Sequence, residues 1–386
     1  MDPALRQIAE RIRAAAADAT LLCVRGGGTK DFYGEPPQGK LLSTAELTGI
    51  TNYEPSELVV TARAGTPLAE LEATLAEQGQ CLPFEPPRFA ASGARAEPLG
   101  ERVLDVGTAA GSAATVGGMV AAGLSGPARA SVGAVRDYVL GATLMNGRGE
   151  LLSFGGQVMK NVAGYDVSRV LAGSLGTLGV ITEVSLKVLP VAPAEATLEF
   201  ACGQADALRL LNEWGGRPLP LNASVWRERD GAGVLSLRLR GAVAAVEAAC
   251  VHLGGERQEG ERAAAGWQSL RDQQHPWFAG RGARDLWRLS VPQTAPVLDV
   301  DGTPLIEWHG GQRWYLAPPD QRPQLRAAAR AAGGHATLFM PSDIHGQRVL
   351  GRFDALSPAI ERIHRALMNE FDPHAVFHRA RLYPAD

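Results

Sequence analysis

The chain has few cysteines, no long apolar run and no excess of charge of either sign, and each shortage excludes a class of protein. Its four cysteines, Cys23, Cys81, Cys202 and Cys250, lie far apart and form no C-x-x-C pair. That spacing argues against an iron–sulfur cluster or a zinc ribbon in this chain and fits a reducing compartment without a disulfide framework. No stretch of about 18 apolar residues occurs, so no membrane span is expected. Met1-Asp2-Pro3 lacks the basic and apolar regions of a signal peptide. A cytoplasmic protein is expected, with membrane contact only peripheral and through partners. A net charge of −3 provides no basic field for nucleic acid or an anionic bilayer.

What is plentiful is glycine, 45 of 386 residues, in a chain that is 45% hydrophobic and 20% charged. That is an ordinary globular balance, long enough for two or three domains. The glycines gather in informative places. Leu21-Leu22-Cys23-Val24 reads as a buried strand, and Arg25-Gly26-Gly27-Gly28-Thr29-Lys30 follows it. Successive glycines let a loop turn sharply and aim neighbouring N–H groups at one anion, while Thr29, Arg25 and Lys30 add a hydroxyl and positive charge. A tight turn that binds nothing is the competing reading of this loop alone.

Other signals are weaker or false. Gly34 to Lys40 fits G-x-x-x-x-G-K, but Leu41 stands where a Ser or Thr would hold Mg²⁺, so a nucleotide P-loop is rejected. Strands are expected at Lys40–Ser43, Gly49–Tyr53 and Leu58–Ala64. A helix follows, capped by Thr66, with Leu68, Leu71 and Leu75 on its buried side. From Gly107 to Gly126 nearly every side chain is small or hydroxylated, which lets backbone lie against a flat ligand; Arg129 and Arg136 bring charge nearby. A third region, Met159 to Pro190, reads as helix, glycine turn and alternating strand. Its Gly173, Gly176 and Gly179 are not the Rossmann G-x-G-x-x-G.

Taken in order, Arg25–Thr29, Ala114–Met119 with Ser125–Arg129, and Gly164-Tyr165-Asp166 with Gly173–Ile181 resemble the FAD-binding domain of the vanillyl-alcohol oxidase and p-cresol methylhydroxylase type, over roughly residues 1–190. Within that family, Gly155 to Asp166, Ala64–Leu68 with Leu82–Pro87, and the tail Phe371–Phe377 are most similar to the FAD-binding subunit of bacterial glycolate oxidase. The resemblance implies an α+β fold: a p-cresol methylhydroxylase-type FAD-binding domain at 1–190 with subdomains of about 1–63 and 64–190. A small α+β cap domain at 194–350 would follow, then a C-terminal helix and tail at 351–386 returning to the FAD domain. By position, Gly26, Gly27, Gly28 and Thr29, preceded by Arg25, would hold the pyrophosphate. Thr115, Gly117, Gly118 and Ser125, with Arg129 nearby, would line the pyrophosphate, ribityl chain and flavin. The backbone at Val180 and Ile181 would meet the adenine side.

The implied activity is oxidation of glycolate, a 2-hydroxy acid, to glyoxylate, with electrons passing through FAD to a paralogous larger FAD subunit and an iron–sulfur subunit. A self-sufficient FAD-dependent oxidoreductase and a non-catalytic stabilising subunit are the alternatives. The histidine-rich metal and base cluster of many relatives is missing: His309 and the His335–His345 stretch lack the spacing of a tight site, so no metal and no catalytic residue is assigned. Histidine first occurs at His252, so FAD is expected to be held without a covalent bond. All seven tryptophans lie beyond residue 190. The segment Trp267–Trp287, with Arg271, His275, Arg281, Arg284 and Arg288, is the candidate interface or substrate mouth.

Overall fold

The computed structural model describes residues 2–89, 113–156, 166–342, 349 and 351–383. Helix α1 (Pro3–Ala17) starts where Asp2 accepts from the Ala4 N–H at 2.8 Å and Pro3 occupies the first turn; Ile8, Ile12 and Ala15 form its buried stripe. It covers a small parallel sheet of β1 (Leu22–Arg25) and β2 (Lys40–Ser43). Next come β3 (Ile50–Glu54), β4 (Val59–Arg63), α2 (Leu68–Glu77), β5 (Gln80–Cys81), α3 (Val116–Ala122), α4 (Arg129–Val132) and α5 (Val135–Tyr138). Strands β6 (Val139–Met145), β7 (Leu151–Gly155), β8 (Val180–Lys187) and β9 (Leu189–Pro190) complete the first half.

The second sheet has the order β3-β4-β8-β6-β7 and carries α2 and α3 on its apolar face. Because β4 pairs with β8, Val59 opposite Lys187, the β3–β4 hairpin belongs to this sheet. The expected subdomain boundary near residue 63 therefore moves to about residue 49. Thr66 is a second correction. Its hydroxyl bonds to the N–H and carbonyl of Gly49 instead of capping α2, and Pro67 takes the cap position.

The cap domain contains β10 (Ala194–Ala201), α6 (Gln204–Gly215), β11 (Leu221–Arg229), β12 (Ala232–Gly241), α7 (Val243–Leu253), β13 (Glu256–Arg257), α8 (Gly260–Arg271) and α9 (Pro276–Ala279). It continues through β14 (Asp285–Ser290), β15 (Leu305–Glu307), β16 (Gln312–Ala317), α10 (Arg322–Ala331) and β17 (His335–Met340). Its eight strands form one sheet, β13-β10-β12-β11-β15-β16-β14-β17, paired antiparallel throughout. Alternation gives this sheet two unlike faces. Leu235, Leu237 and Leu239 pack with α6 and α7, and Trp287 and Leu289 pack with α10. The intervening residues lie on the other face, where Ser236, Arg238, Arg288 and Gln312 are interspersed with Val225, Leu305 and Trp314, and part of that face meets the FAD domain. Glu85 of that domain accepts from Arg238 at 2.7 and 2.8 Å.

The tail packs against the first half of the chain. In α11 (Pro358–Phe371), Phe371 is buried and stacks on Phe154, while Ile360 and Ile363 stay exposed. Phe377 then bridges to Leu22 beside the small sheet. Six of the seven tryptophans are buried and Trp277 is half-buried, so their main role is in the core.

Candidate functional site

A cavity of about 780 Å³, open to solvent, lies between the small sheet and the five-stranded sheet. Its floor is the loop that leaves β1. Arg25, Gly26, Gly27, Gly28 and Thr29 all line it, and Thr115, Gly117, Gly118 and Ile181 face it from the second subdomain. The loop is glycine for reasons of space. A Cβ on Gly27 would collide with the Ala113 carbonyl and one on Gly26 with the Thr115 hydroxyl, so the two subdomain loops meet backbone to backbone. Gly28 sits at φ +72°, and a Cβ there would run into the Arg25 guanidinium.

Among the described residues, the N–H groups of Gly26 through Lys30 have no hydrogen-bond acceptor. Successive backbone donors without a protein partner, around a cavity, are what an oxyanion needs. The charge at this loop is distributed differently from the simplest reading. Arg25 is neutralised by Asp31 at 2.7 Å. Lys30 lies 5.7 Å from the Phe89 ring centre, and burial draws its ammonium down to about 8.

The donors at α3 differ too. Thr115 caps the helix, accepting from the Gly118 N–H at 3.2 Å, and the Gly117 N–H is taken by the Ala64 carbonyl at 2.8 Å. These glycines therefore present flat backbone to the cavity and no free donors. Val180 does not reach it: its side chain is buried with Leu22 and Met145, and only Ile181 lines the wall. Cys23 also lines the cavity, and burial raises its thiol above the ordinary value, which disfavours the reactive thiolate.

Ser125 and Arg129 belong elsewhere. Ser125 accepts from the Val135 N–H at 3.2 Å and borders a second cavity, of about 340 Å³, between the FAD and cap domains. Arg129 stacks 4.4 Å from the Trp308 ring centre at the same domain junction. Helix α3 links the two cavities, with Thr115 at its start facing the first and Ser125 beyond its end facing the second.

The Trp267–Trp287 segment divides. Arg271 and Arg288 reach the second cavity, whereas Arg281 and Arg284 bond to the carbonyls of Pro341 and Gly280, and His275 caps α9. His309 is hydrogen-bonded, 2.9 Å from the Ser131 hydroxyl, and burial lowers its imidazole to about 4. Among the described residues no three His, Cys, Asp or Glu side chains are placed to hold a metal ion. His345 and the Gln157–Tyr165 stretch lie outside the described residues, as do Gly107–Ser112.

Several lining residues were not assigned to the site from sequence, Leu175 and Arg381 among them. Leu175, in the Gly173–Ile181 run, has φ +49° and faces the first cavity. Arg381 also faces it while donating to the carbonyls of Glu35 and Tyr33. No local pattern marks Arg381; only the return of the tail brings it there.

Comparison with known proteins agrees with this geometry. Residues 5–97 match the family described as FAD binding domain. The chain is 41% identical over 374 residues to glycolate oxidase subunit GlcE of Escherichia coli (strain K12), covering 97% of this chain and 96% of that one. It is 27% identical to glycolate oxidase subunit GlcD of Bacillus subtilis (strain 168) over 47% of this chain and 35% of the relative. The fold is shared with an alkyldihydroxyacetonephosphate synthase at TM-score 0.62 and 16% identity, over 96% of this chain and 74% of that structure. The first cavity fits FAD by its own chemistry. Unpartnered backbone donors suit the pyrophosphate, and small residues leave room for the flat groups.

Proposed function

This chain belongs to the family of glycolate oxidase subunit GlcE, and on that premise we propose that it is the FAD-binding subunit of a complex that oxidises glycolate to glyoxylate. The observation that carries the reading is the run of N–H groups from Gly26 to Lys30, without acceptors among the described residues, on the wall of the first cavity. In this reading the loop binds the pyrophosphate, and Lys30 adds the free positive charge that Arg25 does not. Gly117 and Gly118 allow close approach. Helix α3, from Val116 to Ala122, spans roughly 10 Å at about 1.5 Å per residue. An elongated dinucleotide lying along α3 would then bring its far end to the domain junction.

FAD, once bound, takes up the two electrons removed from the carbon that carries the hydroxyl. The chain's residues hold the cofactor, exclude solvent with the cap domain and present a small-molecule cavity at the junction. Residues 1–190 contain no histidine and the Cys23 thiol is buried, so in this reading the flavin is held non-covalently. A larger partner resembling GlcD and an iron–sulfur subunit would carry the electrons onward in this reading. No helix among the described residues is long and apolar enough to cross a membrane, so any membrane contact would come through such partners.

The test is reconstitution. The isolated chain should contain flavin but show little glycolate-dependent dye reduction, and addition of its partners should restore it. Full turnover by the chain alone would favour a self-sufficient enzyme.

A further inference from the structure

The polar face of the cap sheet holds groups that the FAD site does not use. Register places Arg288 opposite Trp314, Leu305 opposite Trp314, and Glu307 opposite Gln312. Strand alternation therefore puts Arg288, Gln312, Trp314 and Glu307 on one face, the face toward the FAD domain. All four line the 340 Å³ cavity, which Leu124, Ser125 and Phe89 close from the other side. Inward positions of a sheet ordinarily hold apolar residues, and a cation and a carboxyl placed there need a reason.

Arg288 has no carboxylate partner among the described residues. Its guanidinium lies 5.5 Å from the ring centres of Tyr33 and Phe339, and it donates to the Tyr33 hydroxyl at 2.9 Å. Stacking occupies the faces of a guanidinium and leaves its in-plane N–H edge for an acceptor. Arg271 shares the cavity but is bound by Asp272 at 2.7 and 3.0 Å. Burial lowers the proton affinity of Arg129, and the neighbouring cations Arg288 and Arg136 lower it further. An anion between Arg129 and Arg288 would relieve both.

Side-chain oxygens on β15 and β16 line the same cavity. Glu307 receives Trp314 Nε1 at 2.6 Å and Gln312 Nε2 at 3.1 Å, both on Oε2, which leaves Oε1 without a partner among the described residues. Gln312 Oε1 is buried and likewise unpartnered. A 2-hydroxy acid has the complementary pattern: a carboxylate that accepts and a hydroxyl that donates.

We propose that this cavity binds a small 2-hydroxy carboxylate at two points, with Arg288 taking the carboxylate and the unpartnered Gln312 Oε1 accepting from the hydroxyl. The proposal rests on the oxidation of a 2-hydroxy acid proposed above and adds where on this chain that acid sits.

The experiment uses the full chain loaded with FAD, and equilibrium dialysis with labelled glycolate and labelled acetate. Acetate lacks the hydroxyl and serves as the one-point probe. Arg288→Met should weaken binding of both acids roughly 10–100-fold, the size expected for one charge-assisted contact. Gln312→Leu should leave acetate binding intact and abolish the preference for glycolate. Flavin content and near-ultraviolet circular dichroism confirm that each variant is folded, and Arg288→Lys should recover part of the loss if charge is what matters. If the wild-type chain binds glycolate and Arg288→Met binds it equally well, the cavity assignment is wrong while the proposed oxidation stands. If FAD-loaded wild-type chain binds no glycolate, alone or with its partners, the oxidation reading itself fails and this site with it.

Discussion

Lys30 and Glu307 each carry a burial-shifted proton affinity, and each gives a pH-dependent expectation. The Lys30 ammonium is held down to about 8 in the described structure. A bound pyrophosphate favours the charged form, so FAD binding takes up a proton once the free protein has lost it. Affinity should fall as pH rises above about 8 toward the ordinary lysine value. Flavin fluorescence titrations should show that slope in the wild type, and in Lys30→Met a lower affinity at neutral pH without it; an equal slope in the variant would remove Lys30 from the phosphate site. Glu307 runs the other way, as a carboxyl raised by burial to about 7 from 4.5. Between those values the folded chain holds a proton that the unfolded chain releases, so stability declines as pH rises through this window. Glu307→Gln, which stays neutral, should lose less stability than wild type between about pH 5 and pH 8, as read from denaturant midpoints. Parallel losses would mean the carboxyl is not buried in this way.

At the scale of elements, the cap domain is fastened to the FAD domain by two features that depart from regular structure. Glu85 stands at φ +49°, accepts from the Ala128 N–H at 3.1 Å and receives Arg238 with both oxygens. Trp308 and His309 have φ of +54° and +55° between β15 and β16. Trp308 Nε1 donates to the Gly126 carbonyl at 3.0 Å, and His309 meets Ser131. Left-handed backbone at non-glycine residues is costly and persists where surrounding contacts fix it. Here those contacts cross the junction that forms the second cavity. Removing Glu85 leaves Arg238, whose side chain is 3% exposed, as a buried cation without its partner. Glu85→Ala should therefore cost about 3–5 kcal/mol of stability. Faster limited proteolysis at the domain junction should accompany the loss, and an unchanged melting curve would show that the junction does not depend on this pair.

At the scale of the whole molecule, the parts of the fold set by local pattern were legible and the parts set by long-range return were not. The strand before the glycine loop, the buried side of α2 and the alternation of Val234–Arg240 follow from periodicity alone. The same alternation does not say which face is inward, so Arg288 and Glu307 could not be placed on one face before the sheet was known. Arg25 reads as a free cation in sequence because Asp31 only becomes its partner when the loop folds. Val180 and Ile181 are neighbours in one strand, and strand geometry sends one into the core and the other to the cavity. Arg381 reaches the cavity from the far end of the chain, which no local signal can report.

The central claim is that the Gly26–Lys30 loop holds FAD without a covalent bond. The most direct measurement is the flavin content of the purified full chain, followed by acid denaturation and ultrafiltration, in wild type and in Gly27→Val. The Val side chain would be driven into the Ala113 carbonyl and should deform the loop. The prediction is a flavin-containing wild type that releases its colour into the filtrate, and a folded variant with most of its flavin lost. Flavin retained on the denatured chain, or undiminished in folded Gly27→Val, would contradict it.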